Sequence, residues 1–130
     1  MKNIQSRRSR KAFTLIELLV VVLILGILSG IALPAYLSSV YSARMGAANA
    51  NARALSTAVQ SKALMAGAYD TTLANYATDM GGAVPLNPCT GTTTGYTITI
   101  VGTKATIQAG AGTSCGTWTP AIYTVGYSNG

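Results

Sequence analysis

The chain offers few side chains able to do chemistry: three carboxylates (Glu17, Asp70, Asp79), two cysteines (Cys89, Cys115) and no histidine. Asp70 and Asp79 lie nine residues apart in a Thr-, Asn- and Gly-rich stretch that gives little sign of the pocket a hydrolytic pair would need. The bases available to activate a Ser or Thr hydroxyl are Lys62 and Lys104. Calcium takes about six to eight oxygen ligands, for which two carboxylates are thin support. Two cysteines without histidine cannot complete a tetrahedral zinc site. These residues point away from an enzyme, a metal centre or a cofactor, and leave the two thiols and one acid to explain.

That acid is Glu17. It sits in an apolar run from Phe13 to Leu33 whose only polar side chains are Thr14, Glu17 and Ser29. As a helix the run would be roughly 31 Å long, about the thickness of a bilayer's hydrocarbon core. A carboxylate there costs on the order of 2.5–3.5 kcal/mol, so it calls for a function and a cationic partner. The nearest cations are Arg7, Arg8, Arg10 and Lys11, just outside the run.

The net charge of +6 is misleading for the same reason. Lys2, Arg7, Arg8, Arg10 and Lys11 all fall in the first eleven residues; downstream, four bases (Arg44, Arg53, Lys62, Lys104) face three acids, a balance of +1. The basic balance therefore describes a segment retained on the cytoplasmic side, not a nucleic-acid surface. Residues beyond about Leu37 are expected on the opposite side, which is oxidising and suits a Cys89–Cys115 bridge. Two separate buried thiols are the alternative. A bridge would close a loop of 25 residues poor in large apolar side chains, contributing roughly 3–4 kcal/mol in the chain-entropy picture.

A short basic leader, a small residue (Ala12) and then Phe13-Thr14-Leu15-Ile16-Glu17-Leu18-Leu19-Val20-Val21 resembles the class III signal of type IV prepilins. The resemblance covers about the first third of the chain, and the family usually has Gly where this chain has Ala12. It implies cleavage by prepilin peptidase between Ala12 and Phe13, N-methylation of Phe13, and pairing of Glu17 with the Phe13 amine of a neighbouring subunit during assembly. The implied partners are further copies of the chain, the peptidase/N-methyltransferase, an inner-membrane assembly platform, and lipid before assembly. DNA is a further partner of the family that the charge balance here does not support. The implied location is the inner membrane, then an extracellular pilus serving adhesion, twitching motility or DNA uptake. A type II secretion pseudopilin shares the signal, and a membrane-anchored binding module is a rival of another class. An ordinary signal peptide cut after Ala32 is the alternative for the N-terminus.

The elements that must position these residues read as α+β. Three parts are expected: a leader at 1–12, a hydrophobic helix at 13–37 that spans the membrane or lines a filament core, and a head at 38–130. Gly26 and Gly30 have the small-xxx-small spacing of close-packed membrane helices. Pro34 removes the hydrogen bond to the Gly30 carbonyl, so a bend is expected there. In the resembling family the stretch from Gly26 to Pro34 can lose helicity in the filament. Ala35 to Ala66 continues as an amphipathic helix with a thin apolar stripe of Ala48, Ala52, Leu55, Val59, Ala63 and Ala66. Arg44, Asn51 and Lys62 fall on the other face, towards solvent or neighbours. Ala68 to Gly95 reads as a connecting loop.

The alternation in Tyr96–Val101 and Lys104–Gln108 around Gly102-Thr103 predicts a hairpin with a type II′ turn. Its register sets Ile98 opposite Ile107, Ile100 opposite Ala105 and Thr99 opposite Thr106. Trp118 to Tyr127 is expected to add a strand, with Tyr123, Val125 and Tyr127 on one side. The predicted fold is a long helix on a small antiparallel sheet, the pilin fold by resemblance.

Overall fold

The structure is a computed structural model that describes residues 13–126. Ala12 and Tyr127 lie outside the described residues. The chain divides into two compact units, one ending at Leu37 and the other starting at Ser38. A single helix, α1 (Leu15–Ala66), contributes to both.

In the first unit α1 is apolar on every side, and all residues from Phe13 to Leu37 are exposed. Val20, Val21 and Val22 have only moderate helix propensity. In hydrocarbon, however, each backbone N–H and C=O must be satisfied within the segment, which outweighs such preferences. Pro34 does not interrupt α1, which is helical on both sides of it. The ring has no N–H to give the Gly30 carbonyl, yet the helix runs through it.

In the second unit one stripe of α1 packs on a three-stranded antiparallel sheet. Ala48, Ala52, Leu55, Val59 and Ala63 are buried along that stripe, joined by Ser56 and Ala58. Ala66, expected to complete the stripe, is exposed. The helix ends there: Gly67 takes a positive φ of 71° and its N–H caps the Ala63 carbonyl at 2.8 Å. Four of the buried residues on this side of the helix are alanines, so small side chains surround Leu55 and Val59 in the contact with the sheet. Leu55, Val59 and Ile107 are fully buried, each stabilising by about 1.5–3 kcal/mol.

The sheet has the order β1-β2-β3, with β1 (Tyr96–Val101), β2 (Lys104–Ala109) and β3 (Ile122–Gly126). The hairpin register is the predicted one: Ile98 faces Ile107, Thr99 faces Thr106 and Ile100 faces Ala105. Gly102 has φ 60°, the left-handed value that primed hairpin turns demand at their first central position. Tyr96, Ile98, Ala105, Ile107 and Ala109 form the inner face. Thr97, Thr99 and Thr124 are exposed on the other face, with Thr106 half-buried between Thr99 and Thr124.

The third strand starts later than the sequence suggested. Pro120 has no N–H to give a ladder, and its carbonyl accepts from Gln108 Nε2 at 3.3 Å. The next N–H, of Ala121, goes to Asn49 Oδ1 on α1 at 3.1 Å. Side chains therefore hold this stretch until pairing begins at Ile122. Tyr123 and Val125 pack against the core.

The segment read as a plain loop contains two 3-10 turns, Leu73–Tyr76 and Thr78–Met80, and an isolated bridge between Asn87 and Thr92. Tyr76 anchors it: its ring is buried and its hydroxyl donates to the Asp70 carbonyl at 2.6 Å.

Candidate functional site: the acid at the start of the apolar helix

Glu17 closes the first turn of α1. Thr14 is the residue before the helix and Glu17 is the third within it, the spacing of a capping box. The Thr14 N–H and Oγ1–H both donate to Glu17 Oε2, at 3.0 and 2.7 Å, and the Glu17 N–H donates back to Thr14 Oγ1 at 3.3 Å. The first N–H groups of a helix have no partner within it, and in hydrocarbon there is no water to supply one. The carboxylate is thus not isolated: it satisfies backbone donors that purely apolar surroundings could not. It also places negative charge at the positive end of the helix dipole. The sequence carried this signal in Thr14-Leu15-Ile16-Glu17, but reading the acid only as a charge awaiting a cation passed over it.

Phe13 is 83% exposed beside this box. Gly26 and Gly30 are exposed mid-helix, and a Cβ built on either would meet nothing within 4 Å. Among the described residues no packing requires glycine at these two positions.

In the second unit, the three polar residues assigned to the outer face of α1 all reach across to the loops. Arg44 Nη1 donates to the Ser114 carbonyl at 3.0 Å, beside the bridged Cys115, and Asn51 Nδ2 donates to the Leu86 carbonyl at 3.3 Å. The Lys62 ammonium donates to the Asn75 carbonyl, lies 3.8 Å from Asp79 Oδ2 and stands over the Tyr76 ring at 5.4 Å. Long side chains cover neighbouring surface with their stems while their heads find carbonyls, a role that helical periodicity does not reveal.

Cys89 and Cys115 form a disulfide. Next to it, fully buried Asn87 is a hub missed in the sequence. Its Nδ2 donates to the Gly95 carbonyl at 2.5 Å and the Gly110 carbonyl at 3.2 Å, while its Oδ1 accepts the Cys89 N–H at 2.9 Å. Asp70 and Asp79 do not converge on a shared site. Asp70 accepts from the Asn75 amide and from the Thr72 N–H, and these bonds hold its carboxyl below the usual aspartate range; Asp79 faces Lys62. Burial pushes the Tyr76 hydroxyl above the ordinary tyrosine range. Among the described residues no group of three His, Cys, Asp or Glu could hold a metal ion.

The exposed apolar helix opening on a Thr-Glu box is the decisive feature.

Residues 7–33 match the prokaryotic N-terminal methylation motif.

The match spans about a fifth of the chain and is consistent with the signal of type IV pilin-like prepilins. The methylation motif takes in Ala12, Phe13, Thr14 and Glu17 and runs to Leu33, so it ends within the first unit. No solved structure matches the chain.

Proposed function

We propose that this chain is a type IV pilin: the structural subunit of a pilus filament, cut after Ala12 and polymerised through the helix at 13–37. The observation that carries the reading is the methylation motif leading into a helix that is exposed and apolar all round. Such a surface belongs in lipid or against other copies of itself. Residues 1–12 are the basic leader, retained in the cytoplasm until cleavage, and 38–130 are the head beyond the membrane. The precursor waits in the inner membrane, meets the peptidase and N-methyltransferase and then an assembly platform, and ends in an extracellular fibre. Adhesion, twitching motility and DNA uptake are the uses such a fibre serves.

Cleavage removes five positive charges and creates an amine on Phe13, directly before the capping box. In assembly the Glu17 carboxylate of one subunit pairs with the Phe13 amine of the next and fixes axial register. Removing one partner of a buried ion pair costs roughly 3–5 kcal/mol, so Glu17→Ala should insert normally but assemble poorly. Gly26, Gly30 and Pro34 provide a stretch that can loosen as the helix enters the fibre. Because lipid tails and a filament core are similarly apolar, assembly gains little hydrophobic free energy. The polymer can then be built from a membrane pool, and returned to it, by external work.

The Cys89–Cys115 bridge supports a pilus subunit over a pseudopilin, and the scarcity of converging side chains supports a structural role over catalysis. N-terminal sequencing combined with electron microscopy of sheared surface filaments is the test. Mature protein starting at Phe13 and present in fibres supports the reading. A start at Leu33 would indicate an ordinary signal peptide. Correct processing without surface fibres, with secretion lost on deletion, would indicate a pseudopilin.

A further inference from the structure

We infer that the tip of the β1–β2 hairpin of one copy of this chain docks in a cleft beside the 3-10 turns of the next copy; this rests on the pilin reading above. The cleft holds about 300 Å³, and its walls include Leu73, Ala77, Ala83, Val84, Thr93 and Thr94. These side chains are apolar or uncharged, so the cleft suits an apolar knob. Val101, the last residue of β1, is such a knob and is 72% exposed. Docking would take it out of water, which the subunit by itself does not do.

Charge selects this knob among the exposed apolar side chains of the second unit. Lys104 faces Val101 across the hairpin turn. Among the described residues its ammonium has no ion pair and no hydrogen bond. The cleft carries the opposite sign: Asp79 lies in the turn Thr78–Met80, between Ala77 and Ala83 of the wall. Asp79 is nearly half exposed and stands 3.8 Å from Lys62, an exposed pair that contributes little. A carboxylate accepts through about four lone-pair sites, so Asp79 can meet a second cation. Leu64, Met65, Leu86 and Ile122 are also exposed, but none has an unengaged cation next to it in sequence or register.

The contact joins different copies. Thr94 lies just before β1 and Val101 at its far end, roughly 23 Å apart at about 3.3 Å per residue. A tip therefore does not reach the cleft of its own chain. Knob and cleft are different surfaces, so the contact is heterologous; unless the rotation closes a ring, it propagates as a filament.

The test uses the full-length chain with a photoactivated benzophenone side chain in place of exposed Thr103 at the tip. Irradiated, sheared fibres should yield covalent dimers in which position 103 is joined to a peptide from 73–84 or 92–94 of another copy. Dimers joined only elsewhere, or fibres that yield no dimers, overturn the inference and leave the pilin reading standing. Separately, Val101→Asp sets an anion against Asp79. It should lower fibre yield about tenfold, as exposing one buried valine implies, with processed subunit in the membrane unchanged. A wild-type fibre yield from Val101→Asp also overturns the inference. If the unaltered chain forms no surface fibres, the pilin reading and this inference fall together.

Discussion

The Asn87 carboxamide nitrogen lies 2.5 Å from the Gly95 carbonyl, just before the hairpin, and 3.2 Å from the Gly110 carbonyl, just after it. One buried side chain therefore clasps both ends of β1–β2, with its oxygen on the Cys89 N–H. Asn87→Ala would leave those groups unpaired in a water-excluded place, where an orphaned group costs about 1–3 kcal/mol. The expected loss is about 3 kcal/mol in urea unfolding with the disulfide intact. A loss below about 1 kcal/mol would mean that water replaces the amide.

Reduction of the Cys89–Cys115 bridge should lower the melting midpoint of the detergent-solubilised protein, followed through Trp118 and tyrosine near-ultraviolet signals. The chain-entropy estimate is roughly 3–4 kcal/mol. An unchanged midpoint would show that Asn87 and the Arg44–Ser114 contact hold the loop by themselves.

The backbone beside the bridge is equally constrained. A Cβ on Gly112 would run into the Cys89 carbonyl, and one on Gly95 into the Thr90 hydroxyl and Asn87. Gly112→Ala should be more damaging than Gly95→Ala, since backbone cannot turn aside as a side chain can. Equal midpoints in thermal melts would contradict that ranking.

Gly26 and Gly30 invite the opposite outcome. With nothing near their missing Cβ positions, Gly26→Ala and Gly30→Ala should stiffen the helix by about 0.5–1 kcal/mol each. Membrane insertion should be unaffected while filament yield falls. Normal filament yield from the double substitution would remove local melting from the assembly scheme.

Acidification tests the loop after α1. The Asp70 carboxyl titrates below its ordinary value because the Asn75 amide and the Thr72 N–H favour its charged form. Its contribution to stability is therefore present above the unfolded aspartate pKa, about 3.9, and disappears as pH falls through the lower folded value. The midpoint of wild type should drop over that interval, and Asp70→Asn should flatten the drop. Parallel pH profiles would place the acid sensitivity elsewhere.

The sequence reveals regular elements well and irregular ones poorly. The hairpin was legible because Ile98, Ile100, Ala105 and Ile107 alternate with threonines, and shifting the pairing by one residue would turn them to water. The helix stripe was legible to within one residue at its end, where Gly67 stops α1. Asn87, Arg44 and Lys62 were not legible as ties. Each donates to a backbone carbonyl distant in sequence, and any segment can supply such an acceptor. Pro120 did carry a signal, and its lack of an N–H explains why β3 starts at Ile122. Thr14 and Glu17 were legible as a box, but lipid makes a lone acid so costly that its charge eclipsed its local bonding.

The threonines on the outer side of the sheet have a further consequence. Thr97, Thr99 and Thr124 present uncharged hydroxyls where many small domains carry lysine and glutamate. Apart from Lys104 at its edge, the strand residues of this face carry no charge, so such faces crowded side by side accumulate little mutual repulsion. In the proposed filament, dense arrays of this chain should therefore tolerate swings in ionic strength that would swell or collapse a highly charged assembly.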